Sequence, residues 1–424
     1  MRHILSLAAA TLFLVVPQGA QAQVAVADSG DTGWMLACTM LVLVAAIPGL
    51  MFRHAGLVGV RNALSVMAQG AAVAAAVSIA WGAIGYSLAY APGSAWLGGA
   101  GNALLANLGT LRDGLTVPES AFALFQMSLA IFAAALIPGA LAERTRVGWM
   151  LAFAPLWMLV VYAPVARWTW GGGWLAEMGV LDYAGALVVH ITAGFSALAL
   201  ALIVGPRREP GEGHSPLLTL AGSALVWIGW MGISGGWALG ATDDAASALL
   251  NTHFAACTAA LCWALLDRLA TGRVSATGIM SGALSGLAAI SASAGLVGAG
   301  GAMMIGLIAA AVSRFAFALL RGGKADDAAA IFAIHGIGGL AGMILLVPFT
   351  LPLLGGVGLD PSLGVMTLAL MQLAGVGVVA LWATIGAAIL GIGLSLLVPM
   401  RVSEADEDIG LDASAHDQQS WLFR

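Results

Sequence analysis

The amino-acid sequence predicts an all-α membrane protein that crosses the bilayer eleven times. The first observation is composition, since 60% of the 424 residues are apolar and only 9% are charged, whereas a soluble domain carries about a quarter charged residues. The second is that apolar stretches of about 20 residues, long enough to cross a bilayer, recur along the chain. The third is that arginines cluster between these stretches. The composition excludes a nucleic-acid-binding protein, a disulfide scaffold and a disordered chain.

The first 22 residues have the pattern of a cleaved signal peptide. A positively charged start precedes an apolar run over 4–16, and the small residues Ala20 and Ala22 follow at the expected cleavage positions. An uncleaved first helix is the alternative. Cleavage would leave the mature N-terminus on the outside of the membrane.

Charged and turn-rich breaks divide the following region, 23–400, into eleven apolar segments that we predict as transmembrane helices. They lie near 34–52, 63–91, 119–141, 147–166, 184–204, 216–239, 245–268, 276–292, 297–320, 329–351 and 366–398. The acidic segment 401–424 is predicted to be a short cytoplasmic tail, ordered only where it docks on the bundle or on a partner.

The positions of the basic residues predict the orientation of the chain. Most arginines lie in alternate loops, from Arg53 and Arg61 to Arg401, whereas the opposite loops carry only Arg112 and Arg167. Loops rich in Lys and Arg stay on the cytoplasmic side. We therefore expect the N-terminus outside and the C-terminus inside, in agreement with an odd number of helices.

Two segments of the sequence resemble each other, and each places one histidine in an apolar, glycine-flanked helix. The first reads GALVVHITAG over 185–194 and contains His190, and the second reads AAIFAIHGIGG over 329–339 and contains His335. They fall on the fifth and tenth predicted helices. Because each repeat has an odd number of helices, the two repeats of five have opposite orientations, which is the inverted-repeat arrangement of many transporters. The long final helix stands outside the repeats.

A histidine at the equivalent position of each repeat indicates a path for protons. One histidine on an apolar helix is more often a packing residue, but ionisable groups inside a membrane usually face a pathway and pair with each other. One imidazole can donate a hydrogen bond that the other accepts.

A metal site is the competing interpretation of the same histidines. Zinc usually takes at least three protein ligands, and no third ligand stands at a suitable spacing from either ring. Asp182, eight residues before His190, is predicted to cap the start of its helix. No phosphate-binding loop occurs, so the sequence predicts neither a cofactor nor an enzyme.

The motifs around these histidines resemble those of the ammonium transporter (Amt/Rh) family. The matching runs are WTWGGGW over 168–174, LDYAG over 181–185, FAIHG over 332–336, GALAER over 139–144 and GLDASAH over 410–416. The resemblance implies a homotrimer of the bacterial inner membrane with one pore per subunit for ammonium or ammonia, serving nitrogen uptake. It implies that His190 and His335 are the twin histidines of the pore. It also implies docking of a PII-type regulatory protein on the cytoplasmic face.

The sequence departs from the family pattern at the outer part of the pore. The two gating phenylalanines of the family fall on Leu129 and Ile233, and the serine of the external cation site falls on Trp237. The tryptophan of the family's cation site is kept as Trp170. We also expect Trp230 to lie at the pore. One interpretation is a rebuilt cation site made of ring faces; the other is that Trp237 fills the vestibule.

Further departures lie at the inner end. Arg53 and His54 replace an aromatic pair, and Ala330 replaces an aspartate. Arg53 would repel a permeating cation, which matters less if neutral ammonia crosses. Two alternatives to ammonium transport therefore remain: a sensor that binds ammonium without transporting it, and a pore altered for another small amine or a neutral gas.

Overall fold

The computed structural model describes residues 27–211, 213–321, 323–359 and 363–421, so the predicted signal peptide lies outside the described residues. Ten helices in this part of the chain are long and apolar enough to cross a membrane. We number them in chain order together with one shorter apolar helix, α8. They are α1 Ser29–Leu57, α2 Val60–Tyr90, α3 Glu119–Leu141, α4 Val147–Met178, α5 Ala186–Val204, α6 Pro216–Gly236, α7 Asp243–Thr271, α8 Ala276–Ile290, α9 Ala299–Leu320, α10 Phe332–Phe349 and α11 Val365–Ser395.

The predicted all-α class is confirmed, because the described ranges contain helices and, apart from them, only three isolated pairs of bridged residues. Helix α8 has 15 residues, which corresponds to about 22 Å at 1.5 Å per residue. This length is short of the roughly 30 Å hydrocarbon core. Eleven crossings therefore stay a prediction.

Glycines allow the helices around the histidines to touch. On α6, a β-carbon at Gly222 would lie 2.2 Å from the backbone nitrogen of Arg53, and one at Gly229 would lie 2.4 Å from a carbonyl oxygen of α1. On α5, a β-carbon at Gly194 would lie 2.5 Å from the Cα of Gly336 on α10. Only glycine permits these distances. The 57 glycines of the chain therefore allow its helices to pack with their backbones in contact.

An aspartate precedes each of the two histidine-bearing helices and accepts hydrogen bonds from its first turn. The carboxylate of Asp182 accepts from three backbone amides at the start of α5, those of Gly185, Leu187 and Val188, at 2.9–3.1 Å. The carboxylate of Asp327 accepts from the backbone amide of Phe332, the first residue of α10, at 2.7 Å. Both helices then begin with a widened π-helical turn that contains the histidine.

The C-terminal tail folds into two short helices, α12 Glu404–Ile409 and α13 Leu411–His416, that dock on one end of the bundle. Asp412 accepts hydrogen bonds from the backbone amides of Leu64 and Ser65 at the start of α2. The backbone amide of Leu411 donates to the side-chain oxygen of Asn62 at 2.8 Å. We call this end of the bundle the tail side and the opposite end the far side.

Candidate functional site

The structure brings the two predicted histidines together inside the bundle. The Nδ1 atoms of His190 on α5 and His335 on α10 are 3.3 Å apart, and the ring centroids are 5.2 Å apart. Exposure is 0% for His190 and 1% for His335. Because a hydrogen bond between two imidazole nitrogens needs one donor and one acceptor, the neutral pair has one proton between these nitrogens. The other nitrogen of His190, Nε2, is buried and finds no hydrogen-bond partner among the described residues.

Aromatic rings enclose the histidine pair. The indole of Trp230 on α6 stacks on His190 at 4.7 Å and lies nearly parallel to His335 at 6.0 Å. Its Nε1 donates to the hydroxyl of Ser291 at 2.9 Å, which fixes the ring plane. Phe132 on α3 presents an edge contact to Trp230 at 5.4 Å. A bare ion beside these rings would lose its hydration without full replacement, which costs several kcal/mol or more.

Helices α3 and α6 run past each other and carry this site at three successive levels. Positions on each helix recur every seven residues, which is about two turns or 10.5 Å, so the side chains share one face of each helix. Within the far level and within the histidine level, a ring from α3 contacts a tryptophan ring, with centroids 6.2 and 5.4 Å apart. The levels are the far level (Phe125 and Trp237), the histidine level (Phe132 and Trp230) and the tail level (Gly139 and Ser223).

The two tryptophans expected at an external cation site meet at the far level, where Trp170 contacts Trp237. The ring centroids of Trp170 and Trp237 are 4.2 Å apart, and Trp170 Nε1 donates to the carbonyl oxygen of Asp182 at 2.8 Å. Trp237 Nε1 is buried and has no hydrogen-bond partner in the part of the chain that the structure describes. Rings at this distance touch, so no ion fits between them. A cation would contact only ring faces that are turned away from this contact.

The two predicted gate residues lie between the far level and the histidine level. Leu129 follows Phe125 by four residues and precedes Phe132 by three on α3. Ile233 follows Trp230 by three residues on α6 and precedes Trp237, the residue just after α6, by four. Both side chains are 0% exposed. Their spacing places two aliphatic side chains between the far-side tryptophans and the histidine level.

The tail level is occupied by side chains from α1. The guanidinium of Arg53 donates from Nη1 to the hydroxyl of Ser223 at 3.0 Å, and its exposure is 1%. The ring of His54 lies against Gly139, where a β-carbon would be 2.5 Å from His54 Nε2. Arg53 and His54 therefore lie against the same faces of α3 and α6 as the histidine level, one level further toward the tail side.

The sequence analysis did not identify Asp327 as a cap of α10. It noted only that Ala330 stands where the family often has an aspartate. Asp327 precedes His335 by eight residues, and Asp182 precedes His190 by the same number. The equal spacing was readable in the sequence and predicts two equivalent helix caps. Ala330 has a left-handed backbone with φ of 57°, and it forms the bend between Asp327 and α10.

Burial raises the pKa of the carboxylates near the helix starts, and hydrogen bonding lowers it. Burial raises the pKa of Asp182 to about 7, although the backbone amides that it accepts from lower it. Burial likewise raises the pKa of Asp327, and the amides of Ile331 and Phe332 oppose this shift. On the tail side, burial would raise the pKa of Asp326, but hydrogen bonds from Arg207, with an N–O distance of 2.8 Å, hold it below its usual value.

The fold and this site define a polytopic helical membrane protein with a buried pair of ionisable side chains between two closely packed helices. Residues 33–421 match the model of the Ammonium Transporter Family. The chain is 37% identical to ammonium transporter Amt1 of Archaeoglobus fulgidus, covering 93% of this chain and 100% of that one. It is 36% identical to an ammonium transporter of Bacillus subtilis, covering 92% and 98%.

Solved structures agree with these sequence matches. A structure described as a sensor Amt protein superposes with a TM-score of 0.85 at 26% identity, covering 93% of this chain and 98% of that one. Mep2 of Candida albicans superposes with a TM-score of 0.83 at 33% identity, covering 90% and 88%. The chain belongs to the ammonium transporter family, a family of transport proteins rather than enzymes. The predicted family is thereby confirmed.

Proposed function

We propose that this protein passes ammonium or ammonia across a membrane through a pore that follows the three levels of α3 and α6. The observation that carries this proposal is the buried contact of His190 and His335, with 3.3 Å between their Nδ1 atoms. The relatives from Archaeoglobus fulgidus and Bacillus subtilis, both named ammonium transporters, support the substrate.

In this proposal the far level recruits the ion, and the histidine pair accepts its proton because the apolar segment disfavours the charged form. Ammonium has a single charge that suits the outward ring faces of Trp170 and Trp237, with Trp230 as the next ring toward the centre. The route past Leu129 and Ile233 is apolar, so the bare ion is strongly disfavoured there. Ammonia crosses, while potassium, which has no proton to lose, is excluded.

The histidine pair handles the proton or the uncharged ammonia at the centre. His190 Nε2 has no protein partner among the described residues, so it is available to a molecule in the pore. Two imidazolium ions so close together would repel each other in a buried site. The pair therefore holds at most one positive charge and relays a proton from one ring to the other.

Several features of the assembly belong to the same proposal. We infer a homotrimer in a bacterial inner membrane, with eleven crossings, cleavage after residue 22 and a transmembrane domain over 23–400. The tail side is cytoplasmic because Arg61, Arg207 and Arg401 lie there, and the tail over 401–424 presents a surface on which a PII-type protein would dock.

The relay is tested by His190→Ala and His335→Ala in proteoliposomes on a solid-supported membrane. We expect each variant to reduce the ammonium-driven current by at least about tenfold or to lose discrimination against potassium, because the donor or acceptor is gone. His253→Ala is the matched control, since His253 is exposed on α7 and outside the three levels. Unchanged current and selectivity in both pore variants would contradict the relay.

A sensor that binds ammonium without flux is the second candidate. It is favoured by the contact of Trp237 with Trp170 at 4.2 Å, which narrows the far level. The superposition on a structure described as a sensor Amt protein points the same way. Calorimetric binding of ammonium by purified protein, together with currents no larger than those of protein-free liposomes, would decide for the sensor. A current carried by methylammonium but not by ammonium would indicate an altered substrate.

A further inference from the structure

A buried arginine and a buried histidine stand side by side at the tail level. Exposure is 1% for Arg53 and 2% for His54, and both lie in the last two turns of α1. Arg53 is hydrogen-bonded to Ser223, and His54 packs on Gly139. These two partners are the residues that define the tail level.

The tail level continues the route on which the histidines lie. Gly139 follows Phe132 by seven residues and Ser223 precedes Trp230 by seven. The two levels are therefore about 10.5 Å apart along the helix axes. A molecule that leaves the histidines toward the tail side accordingly approaches the guanidinium.

The guanidinium is held in place by its surroundings. The backbone of α1 touches α6 at Arg53, because a β-carbon at Gly222 would lie only 2.2 Å from the Arg53 nitrogen. The hydroxyl of Ser223, which accepts from Arg53, itself donates to the carbonyl oxygen of Thr219 at 2.6 Å. Both the main chain and the side chain of Arg53 are thus anchored to one helix.

The charge of Arg53 is not cancelled by a direct ion pair. Among the described residues, no carboxylate lies within ion-pair distance of its guanidinium. Asp327 acts on it only through space. The second carboxylate oxygen of Asp327, Oδ1, is buried and has no hydrogen-bond partner in the described ranges. The tail level therefore presents a positive charge that the protein does not pair by direct contact.

We propose that Arg53 is a specificity-determining residue that rejects cations at the tail end of the pore and lets uncharged ammonia pass. The inference rests on the proposed transport function. A fixed unit charge about 10 Å from a monovalent cation, at an effective dielectric constant of about 20, lowers the local concentration of that cation roughly 15-fold. This electrostatic repulsion does not act on uncharged ammonia. The central histidines strip the proton, and Arg53 prevents the re-formed ion from returning.

The test compares Arg53→Gln, Arg53→Lys and the control Arg146→Gln in proteoliposomes. Arg53→Lys keeps the charge, and Arg146→Gln removes a charge from an exposed residue on the same side of the bundle. Ammonia uptake is followed by alkalinisation of an internal fluorescent dye, and cation passage by potassium currents. We expect Arg53→Gln to raise the cation currents about tenfold and to change ammonia uptake by less than about twofold. The other two variants should match the wild type.

Two results would overturn the inference while leaving the proposed function intact. One is a folded Arg53→Gln protein whose cation currents equal those of the wild type. The other is a rise in ammonia uptake as large as the rise in cation current, which would make Arg53 a simple obstruction. Failure of the proposed function looks different, because the wild type itself would then show no ammonia-driven alkalinisation.

Ser223→Ala provides a second variant in case Arg53→Gln does not fold. It keeps the arginine but removes the hydroxyl that holds it at 3.0 Å. We expect a smaller rise of the cation currents, about threefold, since the guanidinium is freed to move from the pore axis. Currents equal to those of the wild type in this variant would likewise contradict the role of Arg53.

Discussion

Substituting Gly194→Ala would separate the two histidines with a single methyl group. Gly194 lies one turn after His190 on α5, and a β-carbon there would be 2.5 Å from the Cα of Gly336 on α10. Ordinary contact begins near 3.4 Å, so the helices must part by about 0.9 Å at this point. The Nδ1–Nδ1 distance of 3.3 Å would then grow to about 4.2 Å, beyond hydrogen-bond range.

The expected result is a protein that folds but no longer relays protons. Overpacking of this kind costs about 1–3 kcal/mol, which a bundle of this size tolerates. Ammonium-driven current on a solid-supported membrane should fall at least about tenfold, with the same elution volume in size-exclusion chromatography.

Gly377→Ala on α11 is the control for this change, because a β-carbon there meets nothing within 4 Å. It should leave both stability and current unchanged. If Gly194→Ala and Gly377→Ala carried equal ammonium currents at equal protein density, the contact between the rings would not be needed for transport, and the reasoning from the helix distance would be refuted.

Three further substitutions test other parts of the structure. Trp237→Leu removes one of the two rings that recruit ammonium in the proposed function, which touch at 4.2 Å, and should lower ammonium-driven current several-fold; an equal or larger current would show that the ring of Trp237 does not recruit the ion. Asp182→Ala leaves three buried backbone amides at the start of α5 without their acceptor and should cost about 3 kcal/mol or more of stability, measured as a lower Tm; an unchanged Tm would contradict the cap. Asp326→Asn should lower Tm at pH 7, because Arg207 holds the pKa of Asp326 below its usual value, and a carboxylate with a lowered pKa stabilises the folded state at pH values above its unfolded pKa of about 3.9. The difference in Tm should therefore persist down to about pH 4 and shrink below it; a difference that grows on acidification would have the wrong sign.

The sequence predicted the helices and the histidine pair because both depend on local pattern. Apolar stretches between charged breaks predict membrane helices from composition alone. The similar segments around His190 and His335 predict equivalent positions in two repeats. The equal spacing of eight residues from Asp182 to His190 and from Asp327 to His335 is equally local, and it predicts the second helix cap as directly as the first.

The arrangement of the far level depends on tertiary packing that no local pattern encodes. Trp170 and Trp237 are 67 positions apart, and their contact follows from how the whole bundle brings α4 and the end of α6 near each other. Two tryptophans could equally well have formed an open pair of ring faces around an ion. The docking of Asp412 on α2 likewise joins residues more than 340 positions apart.

The seven-residue spacing of the contacts along α3 and α6 has a consequence for how this protein could change over time. Each level is two helical turns from the next, so a new side chain at one level meets a different set of neighbours from those at the others. In the proposed pore, side chains at the entrance, the centre and the exit can therefore change independently of one another. A chain that replaces the entrance rings or the exit arginine retains the imidazole pair, and a common scaffold can thereby yield transporters and receptors that differ in only a few side chains.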